Sequence, residues 1–254
     1  MIDWHCHILP AIDDGPETLA ESLEMARILA AVGFRQVHCT PHAILGRFDN
    51  RPSQVRKATV LLQKELDATG IPLSLSPGME YYLDEYFPVL LERPQTLGDS
   101  RMLLVEIPSQ ASAELVLDNI ERILQRGYVP LLAHPERSAL LYREGSPLKG
   151  LLQRLLVLPS GPATGDEDSI VAALWMELQD KGSLFQGNLP SLSGYYGRRV
   201  QRRAESHLEG GLYHCFGSDG HGAESLQAQL LPALQALAGY QKLQDTGYKA
   251  QGER

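Results

Sequence analysis

Short apolar runs alternate with longer amphipathic stretches along this chain, and the two differ in period. Runs that alternate every second residue predict strands, and stretches with apolar positions three or four apart predict helices. A first strand starts at Ile2, and six more are predicted at Gln36–Thr40, Ile71–Ser76, Met102–Ile107, Val129–Ala133, Ser183–Asn188 and Leu212–Gly217. Helices are predicted at Glu17–Val32, Pro52–Ala68, Ala113–Gln125, Asp168–Asp180, Gly194–His207 and Gly222–Ala238. In the first helix Leu19, Leu23, Ala26 and Ala30 share a face, Pro16 and Glu17 open the first turn, and Gly33 closes it. In the third, Leu115, Leu117, Ile120, Ile123 and Leu124 form the apolar face, and Gly127 is the stop. The stretch from Arg143 to Lys181 is the least regular. Within it, residues 148–158 read as helical and then extended, and residues 159–168 as a loop rich in Pro, Gly and Ser. The tail from Tyr240 is polar and is expected to fray.

Strands alternating with helices imply a parallel sheet. Most of these strands close on a potential ligand: His5-Cys6-His7, Pro41-His42, Gly78-Met79-Glu80, Val105-Glu106, His134-Pro135-Glu136-Arg137 and Ser218-Asp219-Gly220-His221. In an open sheet only strands near the switch point supply a site, whereas in a barrel every strand end faces one mouth. The expected fold is therefore α/β, a single-domain, TIM-like (β/α) barrel with seven strands. It would span residues 1–240, with a longer variable segment at 138–182 and a polar tail at 241–254. Neither an internal repeat nor a second domain is visible.

The length of 254 residues suits one such domain. Net charge is -8, which argues against a nucleic-acid partner. An anionic substrate remains open, because bound cations would reverse the sign locally. Cys6, Cys39 and Cys215 give no disulfide framework and suit a reducing compartment. They are expected to be small apolar residues on the outward strand face, with Cys6 opposite His5 and His7. No signal peptide precedes Ile2 and no apolar run is long enough to span a bilayer, so the chain is expected to be soluble and cytoplasmic, with no transmembrane segment.

The candidate ligands are His5, His7, Asp14, His42, Glu80, Glu106, His134, Asp219 and His221. Five imidazoles and four carboxylates suit manganese, iron or zinc and are too rich in nitrogen for magnesium or calcium. Nine donors imply two or three ions, which together can clamp both oxygens of an in-line phosphoryl displacement. Taken singly, each residue has a plainer reading. Asp13 and Asp14 before Gly15 suit a simple turn, and Glu80 suits a structural role. Glu106 stands in an apolar strand, where a carboxylate needs a metal or Arg partner. The spacing of Asp219 and His221 repeats that of His5 and His7. His38, His207 and His214 lack such context.

The ordered set resembles the PHP (polymerase and histidinol phosphatase) superfamily. Within it the chain is similar to the metal-dependent tyrosine-protein phosphatases of bacterial capsule and exopolysaccharide synthesis. The match is carried by the run from Met1 to Pro10, Ile12-Asp13-Asp14-Gly15-Pro16, Glu21-Ser22, Thr40-Pro41-His42 and Gly78-Met79-Glu80-Tyr81-Tyr82. It continues through Leu104-Val105-Glu106, His134-Pro135-Glu136-Arg137, Gln186-Gly187-Asn188, Ser191-Leu192, Gly194, Gly197 and Gly217-Ser218-Asp219-Gly220-His221. The resemblance implies a distorted (β/α)7 barrel of the PHP type and a trinuclear centre. One ion would take His5, His7, Glu80 and Asp219; a second would share Glu80 and add Glu106 and His134; a third would take Asp14, His42 and His221. It implies manganese, with iron or zinc as alternatives. It also implies catalytic roles for Arg137, His42 and His221, and as substrate the phosphotyrosine tail of a bacterial tyrosine autokinase. Arg137 would neutralise phosphoryl charge, against a plainer reading as a salt bridge to Glu136.

Two departures stand out. The family usually carries an Arg shortly after the last Asp-x-His, and Gly222-Ala223-Glu224-Ser225-Leu226 offers none, leaving Arg198, Arg199, Arg202 or Arg203 as substitutes. The segment after Arg137 is also longer than usual. A cysteine-dependent phosphatase is excluded, since no Cys is followed by Arg at the spacing its phosphate loop needs. The amidohydrolase reading lacks a strand-end Lys. A histidinol-phosphate phosphatase and a catalytically weak regulatory barrel remain as alternatives.

Overall fold

The computed structural model describes residues 1–142 and 172–247. The expectations for residues 143–171 and for the last residues of the tail, 248–254, lie outside them. Nine strands are present among the described residues: β1 (Ile2–Cys6), β2 (Gln36–Cys39), β3 (His42–Ala43), β4 (Ser74–Pro77), β5 (Glu80–Tyr82), β6 (Met102–Glu106), β7 (Val129–Ala133), β8 (Leu184–Asn188) and β9 (Cys215–Gly217). All ladders are parallel.

Helix boundaries follow local chemistry. In α1 (Leu19–Ala31) Thr18 accepts a hydrogen bond from the Glu21 N–H, so the helix opens two residues later than Pro16 and Glu17 suggest. In α2 (Pro52–Thr69) a proline opens the first turn and Gly70 ends it at φ 69°. The short α3 (Phe87–Leu90) was not expected. In α4 (Ala113–Gln125) Ser112 accepts from the Leu115 N–H, and the bounds agree with the sequence.

The seven expected strands are joined by two short ones that the sequence did not mark, β3 and β5, which follow β2 and β4. Pro41 separates β2 from β3, and Gly78 and Met79 separate β4 from β5. A proline has no N–H for the ladder, but its carbonyl still accepts from Glu80, at 3.0 Å. The breaks divide the sheet into β1-β2-β4 and β3-β5-β6-β7-β8-β9. The parallel sheet curls until β1 lies beside the chain leaving β9. There Asp219 N donates to His5 O at 2.7 Å and His7 N donates to Gly220 O at 3.0 Å.

Other differences have local causes. Ile71 N donates to Leu66 O and finishes α2, so the strand expected at Ile71–Ser76 forms later, at β4. Gly194 and Gly197 take positive φ of 80° and 89°, so the basic helix expected from Gly194 begins at Arg198, as Arg198–Glu209. A short helix, Leu189–Leu192, precedes it. The strand expected from Leu212 is shortened to β9. The helix expected from Asp168 is described as Ala172–Asp180. The last helix, Ala223–Gly247, continues past Ala238, so residues 240–247 are helical rather than frayed. Gln, Lys and Leu are strong helix formers, and polarity alone does not end a helix.

Alternation splits the strand residues between two apolar layers. Val37, Leu103, Val105, Leu132 and Phe185 join Met25, Leu29, Val116, Ile120 and Ile123 in the main core between sheet and helices. Leu104, Leu131 and Ala133 form a smaller cluster with Leu97, against Trp4 and Met102. Cys6 and Cys39 lie in the main core, whereas Cys215, in register with the site-facing Gln186, packs on the smaller cluster. No helix among the described residues is long and apolar enough to cross a membrane.

Candidate metal centre

One rim of the curled sheet, with the loops beside it, brings all nine expected ligands together. His5 and His7 share a face of β1 and its extension, with their Nε2 atoms 3.1 Å apart. Glu80 Oε2 lies 3.2 Å from His5 Nε2 and 3.3 Å from His7 Nε2. Asp219 Oδ1 lies 3.3 and 3.5 Å from the same two nitrogens. Donors about 2.1 Å from a tetrahedral ion stand roughly 3.4 Å from one another, so this spacing fits a common ion. His42 Nδ1 is 3.0 Å from Glu80 Oε2. Neither of those buried atoms has an aligned hydrogen bond.

Around this core, His134 Nε2 is 3.2 Å from Glu80 Oε1 and 4.0 Å from Glu106 Oε1. Asp14 Oδ1 is 3.5 Å from His42 Nε2 and 3.4 Å from His221 Nε2. Four groups of donors lie close enough to hold an ion: His7, Asp14, His42 and His221; His5, His7 and Asp219; His5, Glu80 and His134; and His42, Glu80 and Glu106. Relative to the grouping implied by resemblance, His7 also joins the Asp14 group, and His42 also joins Glu80 and Glu106.

A second layer of side chains fixes the donors. Asp13 Oδ2 pairs with His7 Nδ1 at 2.7 Å and accepts from the His42 N–H at 3.0 Å. Gln186 Oε1 is 2.9 Å from His5 Nδ1. Asn188 Nδ2 donates to Asp219 Oδ2 at 2.9 Å. A hydrogen bond on the far nitrogen sets which imidazole nitrogen is free for a metal. Asp3, fully buried, accepts from the His5 and Ser218 N–H groups and so staples β1 to β9. Sequence reasoning assigned no such role to Asp3, Asp13, Gln186 or Asn188. One signal was legible: Gln186 and Asn188 alternate in an otherwise apolar strand, which places both on one face.

Arg137 pairs with Asp219 Oδ2, and its guanidinium lies 4.4 Å from the Tyr196 ring centroid. The plainer pairing with Glu136 is not formed. Glu136 instead accepts from Asn188 N at 3.1 Å and Tyr213 Oη at 2.9 Å. His134 and Asp219 hold positive φ, 32° and 51°. Such conformations cost about 1–3 kcal/mol and concentrate at functional sites.

The cluster is strongly polarised. Burial opposes charge on His5, but Glu80 and Asp219 outweigh it and raise its pKa to about 9. Burial likewise opposes charge on His7, and Asp13, Asp219 and Glu80 together outweigh it and raise its pKa. Burial alone would raise Glu80 and Asp219; the imidazoles around them hold both well below the carboxylate range. The His221 hydrogen bond draws Asp14 down to about 2. Burial and then the Glu80 charge push Glu106 up to about 7. Burial and then Arg137 push His134 down to about 4. Imidazole protons balance the carboxylates here, and a divalent cation balances the same charge by displacing them.

The cluster opens into a cavity of about 380 Å³, lined by Asp14, His42, Ile44, Arg47, Phe48, Glu80, Tyr82, Glu106, His134, Arg137, Asp219 and His221. Its guanidinium groups are Arg47 and Arg137. Arg198, Arg199, Arg202 and Arg203, the expected substitutes for the missing family Arg, do not line it. Arg203 instead covers the Tyr142 ring at 3.4 Å. The three histidines set aside are elsewhere: His38 stacks on Trp4, His207 pairs with Tyr142, and His214 accepts from Phe185 N.

Comparison with known proteins agrees with this geometry. Residues 1–158 match the family described as capsular polysaccharide synthesis, CpsB/CapC. The tyrosine-protein phosphatase YwqE of Bacillus subtilis is 31% identical over 239 residues, covering 93% of this chain and 84% of that protein. Among solved structures, one from the pair YwqE of Bacillus subtilis and CpsB of Streptococcus pneumoniae, unique metal-dependent tyrosine phosphatases, superposes with a TM-score of 0.74. It is 31% identical, over 94% of this chain and 87% of that chain. A histidinol phosphate phosphatase from Lactococcus lactis shares the fold, with a TM-score of 0.55 at 14% identity over 98% of this chain and 94% of that one.

Proposed function

The chain belongs to the CpsB/CapC family of capsular polysaccharide synthesis, and from that premise we propose that it is a metal-dependent tyrosine-protein phosphatase. Its substrate in this reading is the phosphotyrosine tail of a bacterial tyrosine autokinase. The ligands are His5, His7, Asp14, His42, Glu80, Glu106, His134, Asp219 and His221, holding two or three ions. Manganese is the first choice, with iron or zinc as alternatives.

One observation carries the ligand assignment. Glu80 Oε2 is buried, lies 3.0–3.3 Å from three imidazole nitrogens, and has no aligned hydrogen bond to any of them. Burying a carboxylate oxygen in this way is costly unless a cation completes it. When bound, divalent ions activate a water and clamp phosphoryl oxygens. Arg137, held by Asp219 and the Tyr196 ring, presents its guanidinium to the cavity, where phosphoryl charge develops. His42 and His221 converge on Asp14 at the cavity wall and complete the reacting face. We also count the strand lines as one distorted (β/α)7 barrel forming a single domain over residues 1–240. The hydrogen bonds between β1 and the chain after β9 support that count.

The test is hydrolysis by the purified full chain loaded with Mn²⁺, using a phosphotyrosine peptide and histidinol phosphate, with and without chelator. Chelator-sensitive turnover of the peptide is the expected result. Preference for histidinol phosphate would move the protein to the small-molecule phosphatases. Turnover of neither would leave a regulatory barrel. Replacing His5 by Ala is expected to abolish turnover without unfolding the chain.

A further inference from the structure

The cavity has a wall that phosphate recognition does not need. Ions and Arg137 would serve any phosphate monoester, yet Ile44 and Phe48 add an apolar face beside them. Both belong to the turn after β3. Ile44 N donates to Phe48 O at 3.1 Å and Phe48 N donates back to Ile44 O at 2.8 Å. Gly46 turns the chain at φ 81°, and its N–H donates to Asp49 Oδ1 at 2.8 Å. Asn50 Nδ2 ties the turn to the carbonyls of Ile12 and His42, at 2.8 and 2.9 Å. The turn is thus fixed against the ligand-bearing loops. Within it the Phe48 ring lies nearly parallel to the His42 imidazole, with centroids 5.6 Å apart and planes 13° apart. The Arg47 guanidinium sits 5.1 Å from the Phe48 centroid.

Resting on the phosphatase reading above, we propose that this turn selects aryl phosphates: Phe48 is the surface on which the substrate's phenyl ring packs, and Arg47 holds Phe48 in place. The ring of phosphotyrosine begins one bridging oxygen from phosphorus. A surface that recognises it must stand directly beside the cluster, and Phe48 does so through His42. An alkyl phosphate offers that surface no ring. Phe48 is half-buried and borders charged groups, so an aromatic guest would remove its remaining apolar area from water. Phe48 is a specificity residue in this account, and Arg47 a positioning residue that acts through it.

The experiment uses the full Mn²⁺-loaded chain and the variants Phe48→Ala, Phe48→Tyr and Arg47→Ala. Two probes are titrated: inorganic phosphate and a peptide bearing non-hydrolysable phosphonomethyl-phenylalanine. An aromatic contact is worth about a tenfold change in affinity. Phe48→Ala is expected to weaken the phosphonate peptide about tenfold relative to phosphate, and to raise KM for the phosphotyrosine peptide more than it lowers kcat. Phe48→Tyr restores both, and Arg47→Ala shows a smaller shift in the same direction. An unchanged peptide-to-phosphate ratio in Phe48→Ala, with the wild type active on phosphotyrosine, overturns the aryl-selection proposal alone. So does equal weakening of both probes with loss of bound metal, which would make Phe48 a prop for His42. Wild-type inactivity on phosphotyrosine overturns the phosphatase reading, and this proposal with it.

Discussion

Glu80 pairs with four imidazoles of the cluster, those of His5, His7, His42 and His134. Glu80→Gln keeps its shape and removes its charge. Residues that merely orient a ligand are worth about 10–100-fold in metal affinity. A shared donor is therefore expected to cost more than about a hundredfold, read by metal titration calorimetry, while the metal-free chain stays folded. Asp13→Asn, which perturbs the His7 and His42 contacts without removing a ligand, should fall in the 10–100-fold range itself. Single residues also set a pH dependence away from the site. Burial lowers His38 to about 4 from an ordinary 6.5, and burial with Arg203 does the same to His207. Above pH 6.5 each ring is neutral both folded and unfolded. Below it the unfolded chain binds a proton that the folded chain refuses, so stability falls until pH reaches about 4. Each ring contributes about 1–3 kcal/mol to that loss. Urea titrations between pH 7 and 4 should show a flatter curve for His38→Gln than for wild type; parallel curves would contradict the assignment. The candidate ligands were legible because unusual donors recur near strand ends. The roles of their supports were not, because Asp3 meets Ser218, Asp13 meets the His42 N–H, Gln186 meets His5 and Asn188 meets Asp219, all contacts between segments far apart in sequence.

At the scale of elements, the approach of β1 to β9 depends on a missing side chain. A Cβ on Gly217 would stand 2.5 Å from His5 Cβ and 2.8 Å from His5 N. Gly217→Ala should therefore force β1 outward, lowering stability by about 1–3 kcal/mol and weakening metal binding as His5 moves. Gly70→Ala is the contrast. Gly70 has a positive φ, 69°, and an added Cβ there meets nothing within 4 Å. It should cost about 1 kcal/mol through backbone strain and leave metal affinity unchanged. Thermal melts paired with metal titrations separate the two, and a Gly217→Ala protein with normal metal affinity would refute the close-approach argument. Helices were legible where caps are local, as at Ser112 and Gly70. The strands β3 and β5 were not, because two or three residues carry no period and their pairing of His42 opposite Glu80 is non-local.

For the molecule as a whole, the donors come from strands spread through the curled sheet, so bound ions would cross-link segments from residue 5 to residue 221. A ligand that binds only the folded state at a hundred times its Kd adds about 2.7 kcal/mol. Stripping the metal with a chelator is expected to lower Tm by at least about 5 °C, given some 2–4 °C per kcal/mol at this size. Calorimetry with and without chelator checks it, and an unmoved Tm would count against ions that join the strands. The sequence by itself determined the alternation of parallel strands with the longer helices, the nine candidate donors and the metal chemistry such donors would suit, because hydrophobic period and donor type are local properties of the chain. Only the tertiary structure decided that Arg137 pairs with Asp219 rather than Glu136, that Arg47 and not Arg198 or Arg203 reaches the cavity, and that Asp3 and Gly217 allow β1 and β9 to meet. Those outcomes depend on distances between segments far apart in sequence, and residue spacing along a chain carries no such distance.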